Sequence, residues 1–221
     1  MTLDERYGLA LEGLTKLYPN ADTELIYHDP FSLLVAVVLS AQCTDKRVNM
    51  VTPQLMAHYP TPEAMARASV DDLLAFMGSV SYPNNKAKHL LELSKQIAQR
   101  HNGIVPATRE ELEALPGVGR KSASVMLAVC FETPAMPVDT HVFRVAKRIG
   151  LASSRVTTPL AVEQALVKRI PQAQLIRAHH QLILLGRYIC KARKPLCEEC
   201  TLHACCRHYA QLLKSNRLSN P

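Results

Sequence analysis

The sequence predicts an all-α fold. Apolar residues recur at helical spacing, as in NNKAKHLLELSKQIAQRHNG, where positions 87, 90, 91, 93, 97 and 98 are apolar. Most such runs open on a capping residue or a proline and close on a proline or glycine. No run alternates apolar and polar residues as a half-buried strand does.

The elements follow in order. Asp29-Pro30 precedes FSLLVAVVLSAQ, an almost wholly apolar run whose length suits a buried helix better than a strand. Thr44-Asp45 caps the next helix, which Pro60 closes. Pro62 opens PEAMARA, and Val70-Asp71-Asp72 leads into LLAFM. The long helix from Asn84 stops at Asn102-Gly103, and ATREELEAL sets Thr108 before Glu111 as a capping box. LEALPGVGRKSASVMLAV, 112–129, reads as helix, tight PGVG turn and second helix. Pro137 precedes VDTHVFRVAKRIG, in which Thr140 helps to start a helix. Thr158-Pro159 begins LAVEQALVKRI, ended by Pro171. QLILLGRYIC is an apolar helix running into the first of five clustered cysteines. No low-complexity linker divides the chain, so any two lobes must pack closely.

At 221 residues, with 48% hydrophobic and 20% charged residues, the composition is that of an ordinary soluble protein with a sizeable core. The N-terminal MTLDERYGLALEGL mixes acids and bases and reads as no signal peptide. No segment reaches the ~20 apolar residues of a membrane span. Clustered cysteines without an export signal point to a reducing cytoplasm and to metal ligation, not disulfides. Charge is polarised. Residues 1–119 hold 10 Lys+Arg against 14 Asp+Glu, and residues 120–221 hold 16 against 5. A basic half of this kind meets a polyanion, most simply a nucleic acid; a solvated basic surface is the competing reading.

Three features carry candidate chemistry. Gly117 and Gly119 permit backbone conformations closed to other residues and expose N–H groups at a helix start, an arrangement that binds phosphate. A plain helical hairpin is the alternative. Lys121 sits in the first turn of that helix beside Arg120, where helix dipole and neighbouring cation both favour the neutral, nucleophilic amine. Asp139 stands at another helix start, and an amine paired with a carboxylate suits glycosidic-bond chemistry. Taken alone, Asp139 is a simple cap.

LPGVGRKSA, then VDTHVFR with its Asp eighteen residues beyond the Lys, then C-x6-C-x2-C-x5-C, resemble the endonuclease III family of DNA-repair glycosylases. SAQCTD at 40–45 and HNGIVP at 101–106 extend the resemblance from about residue 23 to 206. It implies a helical barrel-like lobe of six helices with a helix-hairpin-helix motif over residues 22–134. It further implies a second lobe from 1–21 and 135–212 carrying an iron–sulfur cluster, and a C-terminal tail over 213–221. Lys121 would attack the deoxyribose C1′ of a flipped, damaged nucleotide, and β-elimination would cut the strand. Asp139 would be needed for base release. Gly117, Val118, Gly119 and Arg120 would hold phosphates, with a monovalent cation at the hairpin.

Gln42 would enter the space left by the flipped nucleotide. Here the sequence departs from the family: VSYPNNKA places Tyr82 at the usual wedge leucine and Pro83 at the usual tyrosine. An aromatic wedge stacks in such a gap; an ordinary loop tyrosine is the alternative. The partner implied is double-stranded DNA with oxidised pyrimidines or abasic sites, met by a monomer in a bacterial cytoplasm. An adenine-mispair glycosylase is the competing relative, but LLVAVVLSAQ lacks the acid that such an enzyme places there. A catalytically silent DNA binder and a zinc-bearing structural protein are further readings.

The cysteine spacing matches the family's [4Fe–4S] ligands at Cys190, Cys197, Cys200 and Cys206. Cys205 is a one-residue alternative to Cys206. The cluster would pin the loop KARKPL so that Lys191, Arg193 and Lys194 meet DNA phosphates. His141 either orients the reacting groove or is structural. His179 and His180 are expected to pack and hydrogen-bond, and Cys43 and Cys130 to be core thiols.

Overall fold

Short polar side chains open most of the helices, each satisfying a backbone N–H that the first turn leaves without a partner. The computed structural model describes residues 1–215, and among them it has twelve α-helices and no strand. Thr2 and Glu5 form a reciprocal capping box on α1 (Leu3–Leu17). Asp29 caps α2 (Pro30–Ser40), Thr44 caps α3 (Asp45–His58), Thr61 caps α4 (Pro62–Ala66) and Ser69 caps α5 (Val70–Leu74). α6 (Pro83–Arg100) starts without a side-chain cap. Thr108 opens α7 (Arg109–Glu113), Gly119 α8 (Arg120–Val129), Asp139 α9 (Thr140–Ile149) and Thr158 α10 (Pro159–Val167). α11 (Leu175–Leu184) and α12 (Arg207–Lys214) complete the set.

Local details depart from expectation. α5 ends at Leu74 and does not run through LLAFM. The Thr108 capping box is half formed: the Thr108 hydroxyl accepts from the Glu111 N–H but donates to the Glu111 carboxylate. Of the expected tail, Leu213 and Lys214 end α12, and residues 216–221 lie outside those described.

The chain divides into two compact units, residues 23–133 and residues 1–22 with those from 134 onward. The first contains seven helices, α2–α8, three of them only five residues long, where the resemblance implied six. Its centre is α2, in which every residue from Phe31 to Leu39 is buried. A helix apolar all round must be enclosed, and α3, α6 and α8 enclose it. Each such Leu, Val or Phe contributes about 1.5–3 kcal/mol.

In the other unit α1, α9, α10 and α11 share one core, with Tyr7 and Leu14 meeting Val142, Val145, Val162 and Leu182. The Tyr7 hydroxyl donates to the Leu151 carbonyl at 2.8 Å. Gly13 leaves room for Leu202, which a β-carbon there would meet at 2.4 Å. After α11 the chain widens into a π-helical turn, Leu185–Ile189, closed by the Cys190 N–H on the Leu185 carbonyl at 2.6 Å. Such turns accompany functional segments, and this one delivers Cys190.

Candidate functional site

The hairpin belongs to the 23–133 unit. Gly117 has φ +79°, and a β-carbon there would press on His89 at 2.8 Å, so both backbone and space require glycine. Gly119 differs from expectation. Its φ of −96° and ψ of 178° suit any residue, and a β-carbon on it would meet nothing within the chain. Val118 is 5% exposed, and its N–H donates to the Leu115 carbonyl at 3.1 Å. It therefore anchors the turn from inside, and its amide is already engaged. Arg109 ties the two helices, donating to the Ser124 hydroxyl at 2.9 Å and to Glu113 at 3.3 Å.

α8 starts with no side-chain cap, no acid in its first turn, and Arg120 and Lys121 side by side and exposed. Two cations at the positive end of a helix dipole make a place that an anion stabilises.

Gln42 and Tyr82 lie in the same unit, each in a turn. Gln42 follows the last turn of α2 with φ 53°, and Tyr82 precedes α6 with φ 54°. A left-handed backbone costs a non-glycine residue on the order of 1–2 kcal/mol, and both side chains are exposed, Tyr82 to 63%. Between them Lys86 is 5% exposed and donates its Nζ to the carbonyls of Leu39 at 2.8 Å and Ala41 at 2.6 Å. Burial pushes this amine down from its ordinary value, and nearby Cys43 opposes the shift.

Asp139 belongs to the other unit. Its carboxylate accepts from the Val142 N–H at 2.8 Å, which fixes its rotamer at the start of α9. Buried Pro137 and Val138 anchor the approach. His141 lies against Arg144 at 3.2 Å, and Gly186 faces its β-carbon with no room for another.

Cys190, Cys197, Cys200 and Cys206 line one small cavity, whose wall also includes the apolar Leu185, Ile189 and Leu202 and the rings of His203 and His208. Cys205 is absent from that wall. It is 2% exposed and its thiol turns to the Leu202 carbonyl. Burial, reinforced by the neighbouring cysteines, raises the thiols of Cys197 and Cys206 and pushes Cys200 up to about 11. Among the described residues no three His, Cys, Asp or Glu side chains converge to hold a metal ion. Four cysteines around one cavity are the donor set that an iron–sulfur cluster takes.

The loop after Cys190 is exposed at Lys191, Arg193 and Lys194, the last with φ 50°. The Leu196 N–H closes its base on the Ile189 carbonyl at 2.9 Å. Arg148 holds the loop from within, donating to the carbonyls of Lys191 at 2.6 Å and Ala192 at 2.9 Å.

Sequence reasoning missed Lys86 and Arg148. Each sits in a helical run where a cation reads as surface, and only tertiary structure shows its carbonyl partners. Cys43 and Cys130 are not core thiols: Cys43 lies half-buried in the turn after α2, and Cys130 ends α8. His179 and His180 are buried with rings 4.8 Å apart.

Residues 35–172 match the HhH-GPD superfamily of base excision DNA repair proteins. Endonuclease III of Rickettsia conorii is 48% identical over 91% of this chain and 95% of its own. That of Bacillus subtilis is 44% identical over 89% and 90% respectively. A trapped endonuclease III–DNA covalent intermediate, in an estranged-adenine complex, superposes with a TM-score of 0.91 at 41% identity, covering 96% of this chain and 100% of that one. The hairpin with Lys121, the helix-capping Asp139 and the four-thiol cavity thus sit in a chain that belongs to the endonuclease III family of the HhH-GPD superfamily.

Proposed function

We propose that Lys121 and Asp139 are the reacting pair of this DNA glycosylase/AP lyase of base excision repair, and that its substrates are oxidised pyrimidines and abasic sites in double-stranded DNA. The observation that carries this reading is Lys121 itself, exposed in the first turn of a helix that no side chain caps, beside Arg120 and without an acid. That setting holds phosphate and leaves the Lys121 amine open to a substrate as a nucleophile.

The neutral amine of Lys121 forms a bond to C1′ of a nucleotide turned out of the stack, while the C1′–base bond breaks and the base leaves with its electron pair and takes up a proton. Opening of the sugar ring to the O4′ hydroxyl gives an imine between Lys121 and C1′. Loss of a C2′ proton then expels the 3′ phosphate, and water releases the lysine. Asp139 stabilises the positive charge on the sugar as the base departs, from a rotamer that its bond to Val142 keeps in place.

The main-chain groups of Gly117 and Gly119, with Arg120, hold backbone phosphates, helped by a monovalent cation at the hairpin. The open space at Gly119, unused by the chain itself, supports close approach of a partner there. Val118 serves by anchoring the turn. Gln42 and Tyr82 fill the gap left by the flipped nucleotide. Cys190, Cys197, Cys200 and Cys206 would hold a [4Fe–4S] cluster, whose role is to fix the basic loop Lys191, Arg193 and Lys194 against DNA. The protein acts as a monomer in the cytoplasm, held at the nucleoid by its DNA. α2 carries no acid, which disfavours the adenine-mispair alternative.

The test is a duplex with one oxidised thymine, incubated with the protein and resolved with and without alkaline treatment. Strand cutting without alkali is the expected result. Cutting only after alkali would leave a glycosylase without a lyase step, and no cutting would remove the substrate assignment.

A further inference from the structure

Gln42 and Tyr82 reach solvent from two different turns, and both adopt a backbone conformation that residues other than glycine avoid. Gln42 occupies the position after a helix C-terminus where glycine is the usual choice. The sequence therefore keeps two strained side chains where a strain-free residue was available, and something must hold them. One residue touches both turns. The Lys86 backbone N–H donates to the carbonyl of Tyr82 at 3.2 Å, while its Nζ donates to the carbonyls of Leu39 and Ala41, immediately before Gln42.

The last carbonyls of α2 have no partner within the helix, and the C-terminal end of its dipole favours a cation. A buried ammonium aimed at two of those carbonyls is a strong, directional fastening. A second link runs parallel to it: Arg47, in the first turn of α3, donates to the Ser79 carbonyl at 2.9 Å, three residues before Tyr82. The two turns are thus cross-tied on both sides of the exposed pair.

We propose that Lys86 is a positioning residue that sets the spacing of Gln42 and Tyr82, with Arg47 as its outer support, so that the two side chains enter the duplex as one preformed wedge. The proposal rests on the reading of Gln42 and Tyr82 as gap-filling residues. Lys86 touches no DNA. It acts by removing the cost of ordering two turns at the moment a nucleotide flips, which is where preorganisation raises a rate.

The experiment compares two substrates: a duplex with one oxidised thymine, and a single-stranded oligonucleotide with a preformed abasic site, which has no opposite base and no gap to fill. Gln42→Ala, Tyr82→Ala and Lys86→Met should each slow single-turnover excision from the duplex by about tenfold or more. Lys86→Met should leave β-elimination on the single strand within about twofold. Lys86→Met should slow the Gln42→Ala variant by less than it slows the parent, because contacts that act through one another are not additive. Equal loss on both substrates, or simple additivity, would make Lys86 a mere fold residue and overturn the proposal. If Gln42→Ala and Tyr82→Ala slow the duplex reaction but Lys86→Met does not, the fastening fails and the wedge stands. If neither alanine variant matters, the wedge reading and this proposal fall together. Should Lys86→Met not fold, exposed Arg47→Met decides: a loss of about threefold confined to the duplex supports the proposal, and no loss overturns it.

Discussion

The Arg148 guanidinium lies 3.5 Å from the Cys190 thiol and within hydrogen-bond reach of the carbonyls of Lys191 and Ala192. One side chain of α9 thus joins the first cysteine of the cavity to the basic loop beyond it. Replacing Lys191, Arg193 and Lys194 with Gln should flatten the dependence of log binding constant on log salt by about 2 to 3, the value for three lost phosphate contacts. An unchanged slope would mean that the loop is merely solvated.

Cys205 and Cys206 are adjacent in sequence and opposite in setting, one in the core and one on the cavity wall. Cys206→Ser should abolish the broad visible iron–sulfur absorption of anaerobically purified protein, and Cys205→Ser should keep it while lowering stability by about 1 kcal/mol. The reverse pattern would exchange their roles, and stoichiometric zinc without iron would remove the cluster.

Asp139 both caps α9 and is assigned to base release, and one substitution separates these roles. Asparagine caps a helix about as well as aspartate, so Asp139→Asn should leave the melting temperature unchanged. Base excision should fall by about a hundredfold or more, with cleavage of preformed abasic sites retained. Excision equal to the parent would leave Asp139 a cap alone.

His180 carries a pH signature. Burial pushes its imidazole below the ordinary value, and Asp22, 3.9 Å away, only partly offsets this. The unfolded chain takes a proton near pH 6.5 that the fold resists. Stability is therefore complete above about pH 6.5 and falls as pH drops below it. His208, also pushed down by burial, adds in the same direction. Denaturant midpoints at pH 7.5 and 5.5 should diverge for the parent and diverge less for His180→Gln. Equal divergence would place the titration elsewhere.

The helices were legible because their signals are local. Asp29, Thr44 and Thr158 are caps whichever way the chain folds, and α2 is apolar on every side. The resemblance supplied the roles of Lys121, Asp139 and the cysteines, which spacing alone left open. What stayed hidden was tertiary. Nothing near Gly119 in sequence says that its lack of a side chain serves no partner within the chain. Nothing around Lys86 or Arg148 distinguishes a fastening from a surface cation, because their acceptors are carbonyls more than forty residues away. Backbone acceptors are present at every position and leave no mark in a sequence.

The central claim is that Lys121 forms a covalent bond to the sugar. Borohydride reduction in the presence of a duplex with an abasic site tests it directly. The account predicts one covalent protein–DNA complex, its adduct mapped by peptide mass to Lys121, and none with Lys121→Ala. No complex from the parent protein, or a complex that survives in Lys121→Ala, would contradict it.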